Sequence, residues 1–524
     1  LRQARIRGRK ALVNEEAPEV GGTWYWNRYP GCRTDCEAWT YCYTVYPEIM
    51  QEWDWAERYP TQQNMLEYIK HVVDRFGYRE HIRFNTKVMG ARYGERTQRW
   101  HVPTNHGDSY EVQYLVLAVG NLSEPYKPKF KGIDSFKGEW YQPVRWPDAD
   151  PDFSGKRVGI IGTGSTGIQL VPAIAKHAAH LTVFQRTPNF VVPSQNYRFT
   201  DQHRAEGKAN YAELLRIARD SSFGMSMVQT GRLAKDYSAQ EQREIFESGW
   251  QKGGFRFLFE TFDDIATNRA TNDLAAEFIR SKIRQIVKDP VTAELLCPKD
   301  HPYGAKRPPI GNDYYETYNR PNVRLVDVAS DPIEEITPDG LKTVKEHFKL
   351  DTLIFATGFD ALTGAFTALN PIGRAGKTLR DHWQGGARTF LGMLSHGFPN
   401  MLLFNGPLGP FGNTPPLIEM DAQWLSELLK FAGRNGVTEI EVSAEGESSW
   451  VEEVTRRAQE TMMPLGLKAH SWFVGGNIPG KASQPLIYMP GMVAFREQLD
   501  KQTTAGYPAL LLRKKNSGRS VASG

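Results

Sequence analysis

Three closely spaced glycines carry the clearest chemical signal in the sequence. Gly162, Gly164 and Gly167 occur in the spacing G-x-G-x-x-G, directly after the apolar run Val158–Ile161. In this spacing the first glycine allows a tight turn, the second lets the backbone approach a pyrophosphate, and the third lets a helix pack on a strand. A helix that begins here presents free N–H groups and its positive dipole end to phosphate. The stretch therefore predicts a dinucleotide-binding site.

The residues around this turn predict the elements that would hold it. Val158–Ile161 is short and rich in β-branched residues, which favours a buried strand. The apolar, alanine-rich segment Ile168–Ala179 is predicted to form the following helix, and Leu181–Phe184 a second strand. This order of strand, turn, helix and strand is that of a dinucleotide-binding unit, whereas a glycine triplet alone would be a weak indication.

The end of the second strand indicates which dinucleotide binds. A site for NAD usually has Asp or Glu here, which accepts a hydrogen bond from the ribose 2′-hydroxyl. Instead, the strand runs into Gln185, Arg186 and Thr187. Because arginine attracts a 2′-phosphate through charge-assisted hydrogen bonds, we expect NADP(H). The alternative is that Arg186 is an ordinary solvated arginine on the surface.

Two further stretches combine residue types that suit a ligand site. Gly21–Asp35 has paired glycines, two tryptophans and two tyrosines, which could pack a flat ring system or form an aromatic turn on the core. Cys297–Pro309 is punctuated by prolines and holds the adjacent cations Lys306 and Arg307. Arg307 is interpreted either as a surface charge or as an electrostatic group directed at a site.

The remaining chain alternates between strand and helix patterns. Tyr110–Val119 is predicted to be a strand, and Leu350–Phe355 a strand that enters the turn Ala356–Asp360. Met420–Phe431 is predicted to be a helix. Residues 200–295 are charged and helix-prone, so they are predicted to form a helical insertion with no catalytic signal of its own.

Composition excludes several classes of function. The 524 residues carry a net charge of +4, with 40% hydrophobic and 24% charged residues, as in ordinary globular proteins. This charge gives no reason to expect a nucleic-acid partner, and no apolar run approaches the about 20 residues of a membrane helix. The four cysteines lack the spacing of a zinc site, so we expect free thiols, no metal and a cytoplasmic location. We expect a monomer or a weak oligomer.

Eight motifs occur in order along the chain: GGTWYWNRYPG, FKGEWYQPVRWP, GTGSTG, FQRTP, KRPP, ATGFD, GPFGN and SWFVGGNIPGK. Together they resemble the Baeyer–Villiger monooxygenases, flavoproteins that insert oxygen beside a ketone carbonyl. The resemblance covers Leu12 to Leu512. It implies an α/β fold with two doubly wound, Rossmann-like dinucleotide-binding domains, for FAD and NADP, and a helical insertion. The implied ranges are 1–122 and 361–524 for the FAD domain, 123–195 and 301–360 for the NADP domain, and 196–300 for the insertion, with a disordered tail from about residue 514.

The resemblance also implies roles for individual residues. Arg307 resembles the active-site arginine of the family, and Asp35 the aspartate that supports it. Arg186 and Lys306 match the pair at the 2′-phosphate of NADP, and Trp472 a tryptophan near the bound nicotinamide nucleotide. The full predicted cofactor-binding set is Glu15, Gly22, Thr23, Trp24, Trp26, Asp35, Tyr41, Gly162, Thr163, Gly164, Ser165, Thr166, Gly167, Gln169, Arg186, Thr187, Lys306, Ala356, Thr357, Gly358 and Trp472.

The sequence departs from the family pattern at two points. In the fingerprint F-x-G-x-x-x-H-x-x-x-W-P, Gln142 replaces the histidine. Glutamine can donate and accept hydrogen bonds but cannot titrate, so the coupling of the two domains through this linker is in question. Glu15 matches the acid at the FAD ribose and follows a strand predicted over Ala11–Val13, but no glycine turn precedes it. We therefore expect the chain to bind FAD poorly. Because it begins with Leu1 and not with methionine, we expect a fragment, a processed form or a misassigned start.

The implied reaction needs NADPH, FAD and O₂, and converts a small ketone to an ester or lactone through a flavin peroxide. A fixed cation at Arg307, oriented by Asp35, would stabilise that anion. Two alternatives stay open. A flavin enzyme that oxygenates nitrogen or sulfur would need a protonated peroxide and so not Arg307. A non-catalytic remnant would bind NADP only.

Overall fold

The computed structural model describes residues 1–126 and 128–514. The strands are β1 (Val13–Asn14), β2 (Ile82–Arg83), β3 (Arg92–Gly94), β4 (Arg99–Pro103), β5 (Ser109–Val112), β6 (Leu115–Leu117), β7 (Glu139–Tyr141), β8 (Arg157–Ile161), β9 (His180–Gln185), β10 (Val192–Pro193), β11 (Ile310–Gly311), β12 (Val323–Asp327), β13 (Ile333–Thr337), β14 (Gly340–Thr343), β15 (His347–Lys349), β16 (Thr352–Phe355), β17 (Met401–Leu403), β18 (Val437–Val442) and β19 (Leu510–Lys514).

The helices lie between these strands. The α-helices are α1 (Arg2–Ile6), α2 (Thr23–Trp26), α3 (Pro47–Glu52), α4 (Gln62–Arg75), α5 (Ser165–Ile174), α6 (Asp201–Ala209), α7 (Tyr211–Asp220), α8 (Ala239–Lys252), α9 (Arg256–Phe259), α10 (Arg269–Ile286), α11 (Pro290–Leu296), α12 (Tyr314–Thr317), α13 (Gly364–Leu369), α14 (Leu379–His382), α15 (Thr414–Arg434), α16 (Ala444–Gln459) and α17 (Gly491–Thr504). Short 3₁₀ helices lie at Arg79–His81, Ile133–Ser135, Pro143–Arg145, Ala234–Asp236, Arg374–Gly376, Met463–Ala469 and Trp472–Val474.

A five-stranded parallel sheet holds the glycine turn. Its strand order is β12-β9-β8-β16-β7, and every neighbouring pair is parallel. Strands β8 and β16 are almost entirely buried. Strands covered on both faces have continuous apolar runs rather than alternating ones, which is why the sequence shows such runs at both. The turn follows the carboxyl end of β8, and α5 then leads back to β9.

Several smaller sheets of two or three strands lie outside the central sheet. Strand β6 pairs in parallel with β17, with Leu115 opposite Met401, and β1 pairs in parallel with β2. The β6–β17 pair joins the beginning of the chain to its last third. The chain therefore returns to its first region after the central sheet is complete. Strands β3-β4-β5 and β13-β14-β15 form two antiparallel sheets of three strands each.

Helices α6–α11 form an insertion between β10 and β11. These two strands pair in parallel, with Val192 opposite Ile310, so they close the base of the insertion. Phe257, Phe262 and Ile279 of the insertion belong to the same buried apolar cluster as the central sheet. The helical character predicted for residues 200–295 is confirmed, while the domain boundaries stay a prediction.

Two predicted helices have different bounds in the structure. The helix predicted over Ile168–Ala179 is α5, which begins earlier because its first turn is continuous with the glycine turn, with Gly164 as N-cap. The helix predicted over Met420–Phe431 is α15, which begins earlier at Thr414. The prolines that follow Thr414 suit the first turn, where backbone N–H groups have no partner within the helix.

Three other predictions need correction or fall outside the description. The strand predicted over Tyr110–Val119 is divided into β5 and β6, because the chain changes from an antiparallel sheet to a parallel pair between them. The strand predicted over Ala11–Val13 is β1 in the structure, which spans Val13–Asn14. Lys514 ends β19, and the tail predicted to follow it lies outside the described residues.

Gly167→Ala should lower the free energy of unfolding by about 1–3 kcal/mol. A Cβ atom at residue 167 would lie 2.1 Å from the carbonyl oxygen of Gly162, so α5 would have to move off the sheet. Urea unfolding followed by circular dichroism measures the change. Gly164→Ala is the matched control, because a Cβ atom there meets nothing within 4 Å, and it should change stability by less than about 0.5 kcal/mol. Equal losses in the two variants would contradict this explanation.

Candidate active site

The three glycines of the turn have three different environments. Gly162 has φ +112°, and a Cβ atom on it would lie 2.4 Å from the carbonyl oxygen of Ala356. Gly167 is blocked by Gly162 itself. Gly164 is different, since the space beside it is open. The first and third glycines therefore serve packing, and the second leaves the backbone accessible. No side chain in the described part of the chain caps the N-terminus of α5, so its free N–H groups can donate hydrogen bonds to a phosphate.

Two cations near this turn have no carboxylate partner within the described residues. Burial, and then the charge of Arg186, lower the pKa of Lys306 to about 8. Burial also lowers the pKa of Arg186. His470 is in the same group, because its pKa is lowered by burial and then by Arg186. Arg186 is exposed and Lys306 is half-buried, and their charges lie close enough for Arg186 to lower the pKa of Lys306. Neighbouring cations that repel one another are stabilised by an anion, so this group is suited to a 2′-phosphate.

Arg307 is held from several sides at once. Its guanidinium forms an ion pair with Asp35, and the two side chains are 19% and 9% exposed. The same guanidinium donates to Oγ of Ser165, the first residue of α5, at 3.2 Å. The side-chain amide of Asn189 donates to the Arg307 carbonyl oxygen at 3.0 Å, which fixes the backbone. The structure thus brings the predicted catalytic pair together beside the glycine turn.

Aromatic rings extend from Arg307 to the predicted nicotinamide tryptophan. The guanidinium carbon of Arg307 lies 5.4 Å from the centre of the Phe255 ring. Ring centres are then separated by 5.0 Å for Phe255–Phe223, 5.2 Å for Phe223–Phe411 and 6.3 Å for Phe411–Trp472. Arg307 and Trp472 therefore border one apolar, aromatic region.

Phe223 and Phe255 belong to the helical insertion, for which the sequence predicted no catalytic signal. The insertion nevertheless supplies the ring that lies against the Arg307 guanidinium. The dense aromatic run from Phe255 to Phe262 is a signal that could have indicated a role in a site.

The predicted FAD residues lie in the first part of the chain. The backbone N–H of Ala17 donates to Oε1 of Glu15 at 2.8 Å, and burial raises the pKa of this carboxyl. Gly22 has φ +52° and open space where a Cβ would lie. Trp24 packs edge-on against Tyr41 at 6.0 Å between ring centres. These residues offer a carboxylate, an accessible backbone and flat rings.

Two predicted residues near the glycine turn make protein contacts. The Gln169 amide accepts from the Tyr29 hydroxyl at 2.9 Å and donates to the Arg33 carbonyl at 3.1 Å. Its hydrogen bonds are therefore used to attach α5 to the Gly21–Asp35 stretch, which differs from a cofactor contact. Thr163 donates to the carbonyl of Thr187 at 3.2 Å and joins the turn to the chain after β9.

Gln142 lies beside the glycine turn as well. It lines a small cavity together with Thr166, Ala356 and Gly358. Its amide reaches the Tyr126 carbonyl only at 3.5 Å, which is long for a hydrogen bond. The residue that replaces the fingerprint histidine is therefore loosely held at the edge of the predicted NADP site.

Two other kinds of feature are absent from the described part of the chain. Residues 1–126 and 128–514 contain no group of three His, Cys, Asp or Glu side chains that could hold a metal ion. In the same ranges, no helix is long and apolar enough to cross a membrane.

Comparison with known proteins gives concordant matches. Residues 41–205 match the family model described as pyridine nucleotide-disulphide oxidoreductase. A protein of Pseudooceanicola batsensis named Baeyer-Villiger monooxygenase is 44% identical over 95% of this chain and 90% of its own length. A phenazine N-monooxygenase of Lysobacter antibioticus is 42% identical over 97% of this chain and 94% of its own.

A solved structure has the same fold over almost the whole chain. It is the crystal structure of OTEMO in complex with FAD and NADP, which matches with a TM-score of 0.94 at 37% identity, over 98% of this chain and 96% of its own. The predicted fold class, with two Rossmann-like domains for FAD and NADP, is thereby confirmed.

Arg186→Ala should reduce the preference for NADPH over NADH. Loss of one charge-assisted contact costs about 1.5–3 kcal/mol, which corresponds to about tenfold or more in affinity. Titration with NADP⁺ and NAD⁺ measures the ratio of the two dissociation constants. Arg324→Ala is the matched control, because this arginine lies on β12 of the same sheet and is 58% exposed. An unchanged ratio in Arg186→Ala would show that Arg186 does not read the 2′-phosphate.

NADP⁺ affinity should fall as the pH rises from 7 to 9. The pKa of Lys306 is lowered to about 8, so the unliganded lysine loses its charge in this range. A bound 2′-phosphate favours the charged lysine, and binding must therefore take up a proton there. The affinity should weaken by up to about tenfold per pH unit above the pKa. Calorimetric titration in two buffers of different ionisation enthalpy measures the uptake, and Lys306→Arg should abolish it. The same uptake in Lys306→Arg would assign it to another group.

Proposed function

Because this chain belongs to the Baeyer–Villiger monooxygenase family, we propose that it oxidises a small ketone to an ester or lactone. The overall reaction consumes one NADPH, one proton and one O₂, and it releases NADP⁺ and one water. The observation that carries this proposal is the Arg307 guanidinium, which is fixed by Asp35 beside the glycine turn.

The residues present suit both cofactors, while the poor binding of FAD expected from the missing glycine turn before Glu15 stays a prediction. The open backbone at Gly164 and the start of α5 suit the pyrophosphate of NADPH. Arg186 and Lys306, which have no carboxylate partner in residues 1–126 and 128–514, suit its 2′-phosphate. The carboxylate of Glu15 and the open backbone at Gly22 suit FAD. When bound, NADPH supplies a hydride and FAD supplies the activation of O₂.

Arg307 provides a permanent positive charge in a half-buried place. A guanidinium does not lose its proton in a protein. At any working pH it can therefore stabilise an oxygen that becomes negative during the reaction. Asp35 fixes its orientation through the ion pair, and Ser165 receives one of its N–H groups. A cation that is already oriented stabilises developing charge without the cost of reorganisation.

The apolar surroundings of Arg307 suit an apolar ketone. Phe223, Phe255 and Met225 form a buried cluster with Cys36, and Phe411 packs against it. Such a wall excludes water and strengthens the electrostatic effect of the guanidinium. The partners we propose are therefore a small apolar ketone and O₂. The cytoplasmic location and the assembly as a monomer or a weak oligomer stay predictions.

A panel of linear, cyclic and aryl ketones tests the function. The FAD-supplemented protein is incubated with NADPH under ¹⁸O₂, and the products are analysed by mass spectrometry. We expect an ester or lactone that carries one ¹⁸O atom from at least one ketone. NADPH oxidation that yields only hydrogen peroxide with every ketone would contradict the proposal.

A second candidate is the oxygenation of a heteroaromatic nitrogen. The specific observation in its favour is the phenazine N-monooxygenase, which is 42% identical over 97% of this chain. The same assay with phenazine and related aromatic nitrogen heterocycles distinguishes the two candidate functions. Formation of an N-oxide without any ester would favour this second candidate.

Arg307→Ala should lower ester formation by about 100-fold to 1,000-fold, while reduction of the flavin by NADPH stays close to that of the wild type. The reason is that the cation is needed where negative charge develops on oxygen, not for hydride transfer. Anaerobic stopped-flow reduction and product analysis measure the two steps separately. Arg320→Ala, an exposed arginine after α12, is the control. Wild-type ester yield from Arg307→Ala would refute the role of this residue.

A further inference from the structure

A second group of buried charges lies next to the Arg307–Asp35 pair. Its centre is Glu37, two residues after Asp35 and 6% exposed. Glu37 accepts hydrogen bonds from Nε and Nη2 of Arg256 at 2.8 and 2.9 Å, and from Nη2 of Arg58 at 2.8 Å. Although burial alone would raise the pKa of Glu37, the hydrogen bonds and charges of Arg256 and Arg58 lower it. Glu37 is therefore a paired, desolvated carboxylate.

Arg256 uses its whole guanidinium in this contact. Besides the two bonds to Glu37, its Nη1 donates to Oε1 of Glu260 at 2.6 Å and its Nη2 to the carbonyl of Ser226 at 3.3 Å. Lys252 also pairs with Glu260, at 3.0 Å. A planar guanidinium can bridge two carboxylates in fixed directions, whereas a lysine ammonium is a point charge on a flexible stem.

Arg58 extends the same group to a third part of the chain. Its Nη1 donates to the carbonyl of Lys252 at 2.7 Å and to those of Ser194 and Gln195, both at 3.3 Å. Ser194 follows β10, where the insertion begins. These charged side chains therefore connect the Asp35–Glu37 loop, the segment that carries Arg58, and the insertion together with the residues that lead into it.

The position of Arg256 in sequence connects this group to Arg307. Arg256 begins α9, and the residue before it is Phe255, whose ring lies beneath the Arg307 guanidinium. At the other end of the contact, Glu37 is on the same loop as Asp35. The ion pair thus holds together the two elements that contact Arg307 from different sides.

We propose that Arg256 and Glu37 are positioning residues for the reaction: their ion pair locks α9 of the insertion to the Asp35 loop, so that Phe255 and Asp35 hold the Arg307 guanidinium in one orientation. This inference rests on the proposed function of Arg307. In the described chain, the charges of Arg256 and Glu37 pair with each other, and that of Arg307 pairs with Asp35. The pair would therefore act on Arg307 through Phe255 and Asp35, which gives the insertion a part in the active site.

Four variants of the flavin-loaded full chain test the inference: Arg256→Gln, Arg256→Lys, Glu37→Gln and the control Lys282→Gln. Lys282 pairs with Glu247 at 2.6 Å and is 17% exposed, but this pair lies within the insertion, between α10 and α8. The measurements are ester formed per NADPH oxidised, the anaerobic rate of flavin reduction, and hydrogen exchange of residues 33–40 in protein without substrate.

Arg256→Gln and Glu37→Gln should each lower the ester yield per NADPH by about tenfold or more, because a displaced catalytic group loses its alignment. Flavin reduction should stay within about threefold of the wild-type rate, since it needs only the nucleotide sites. Exchange of residues 33–40 should be about tenfold faster. Arg256→Lys should recover only part of the yield, and Lys282→Gln should match the wild type in all three measurements.

Two results would overturn the inference. One is a wild-type ester yield from Arg256→Gln. The other is an equal loss of ester yield and of flavin reduction, which would indicate general disruption of the protein. If the wild type itself forms no ester from any ketone, the proposed function fails instead. The exchange comparison, which needs no substrate, then decides whether the ion pair holds the loop.

Discussion

The ion pair between Arg307 and Asp35 is the contact on which the site depends. Both side chains are largely removed from water, and a buried charge is stable only when its partner is in place. The two residues come from opposite sides of the helical insertion in sequence. The loop after β10, the insertion and the return to β11 must therefore adopt one arrangement for the pair to form. The central sheet provides the fixed edge against which this arrangement is built.

The distribution of partners separates structural charges from ligand-binding ones. Glu37, Arg58 and Arg256 satisfy one another in the described chain and hold elements together. Arg186 is exposed and Lys306 is half-buried; neither has a carboxylate beside it in residues 1–126 and 128–514, and desolvation lowers the pKa of both. Neighbouring cations without a carboxylate are suited to an anionic ligand. The presence or absence of a protein partner thus distinguishes charges that hold elements together from charges that are suited to a nucleotide.

Local patterns made much of the fold and part of the site predictable from the sequence. The glycine turn and Arg186 follow directly on strands, so their neighbours in sequence are also their neighbours in space. Gln169 was harder to interpret, because one amide on a helix can face a ligand or a distant loop. Its actual partners, Tyr29 and Arg33, come from a segment whose docking on α5 has no local signature. Phe255 was missed although it begins a dense aromatic run, because such a run does not indicate which residues its rings will contact.

The insertion shows why a charged, helix-prone segment can be misjudged. An arginine such as Arg256 has the same signal in the sequence whether its side chain is solvated or forms a bidentate ion pair inside the protein. Only the tertiary contact with Glu37 distinguishes these two cases. Because Phe223 and Phe255 come from this segment, changes in it can reshape the wall beside Arg307 while the two nucleotide sites stay intact. Relatives of nearly equal identity are named for Baeyer–Villiger oxidation and for phenazine N-oxygenation. Family membership therefore constrains the cofactors more tightly than the substrate, and the insertion is where we expect the difference to lie.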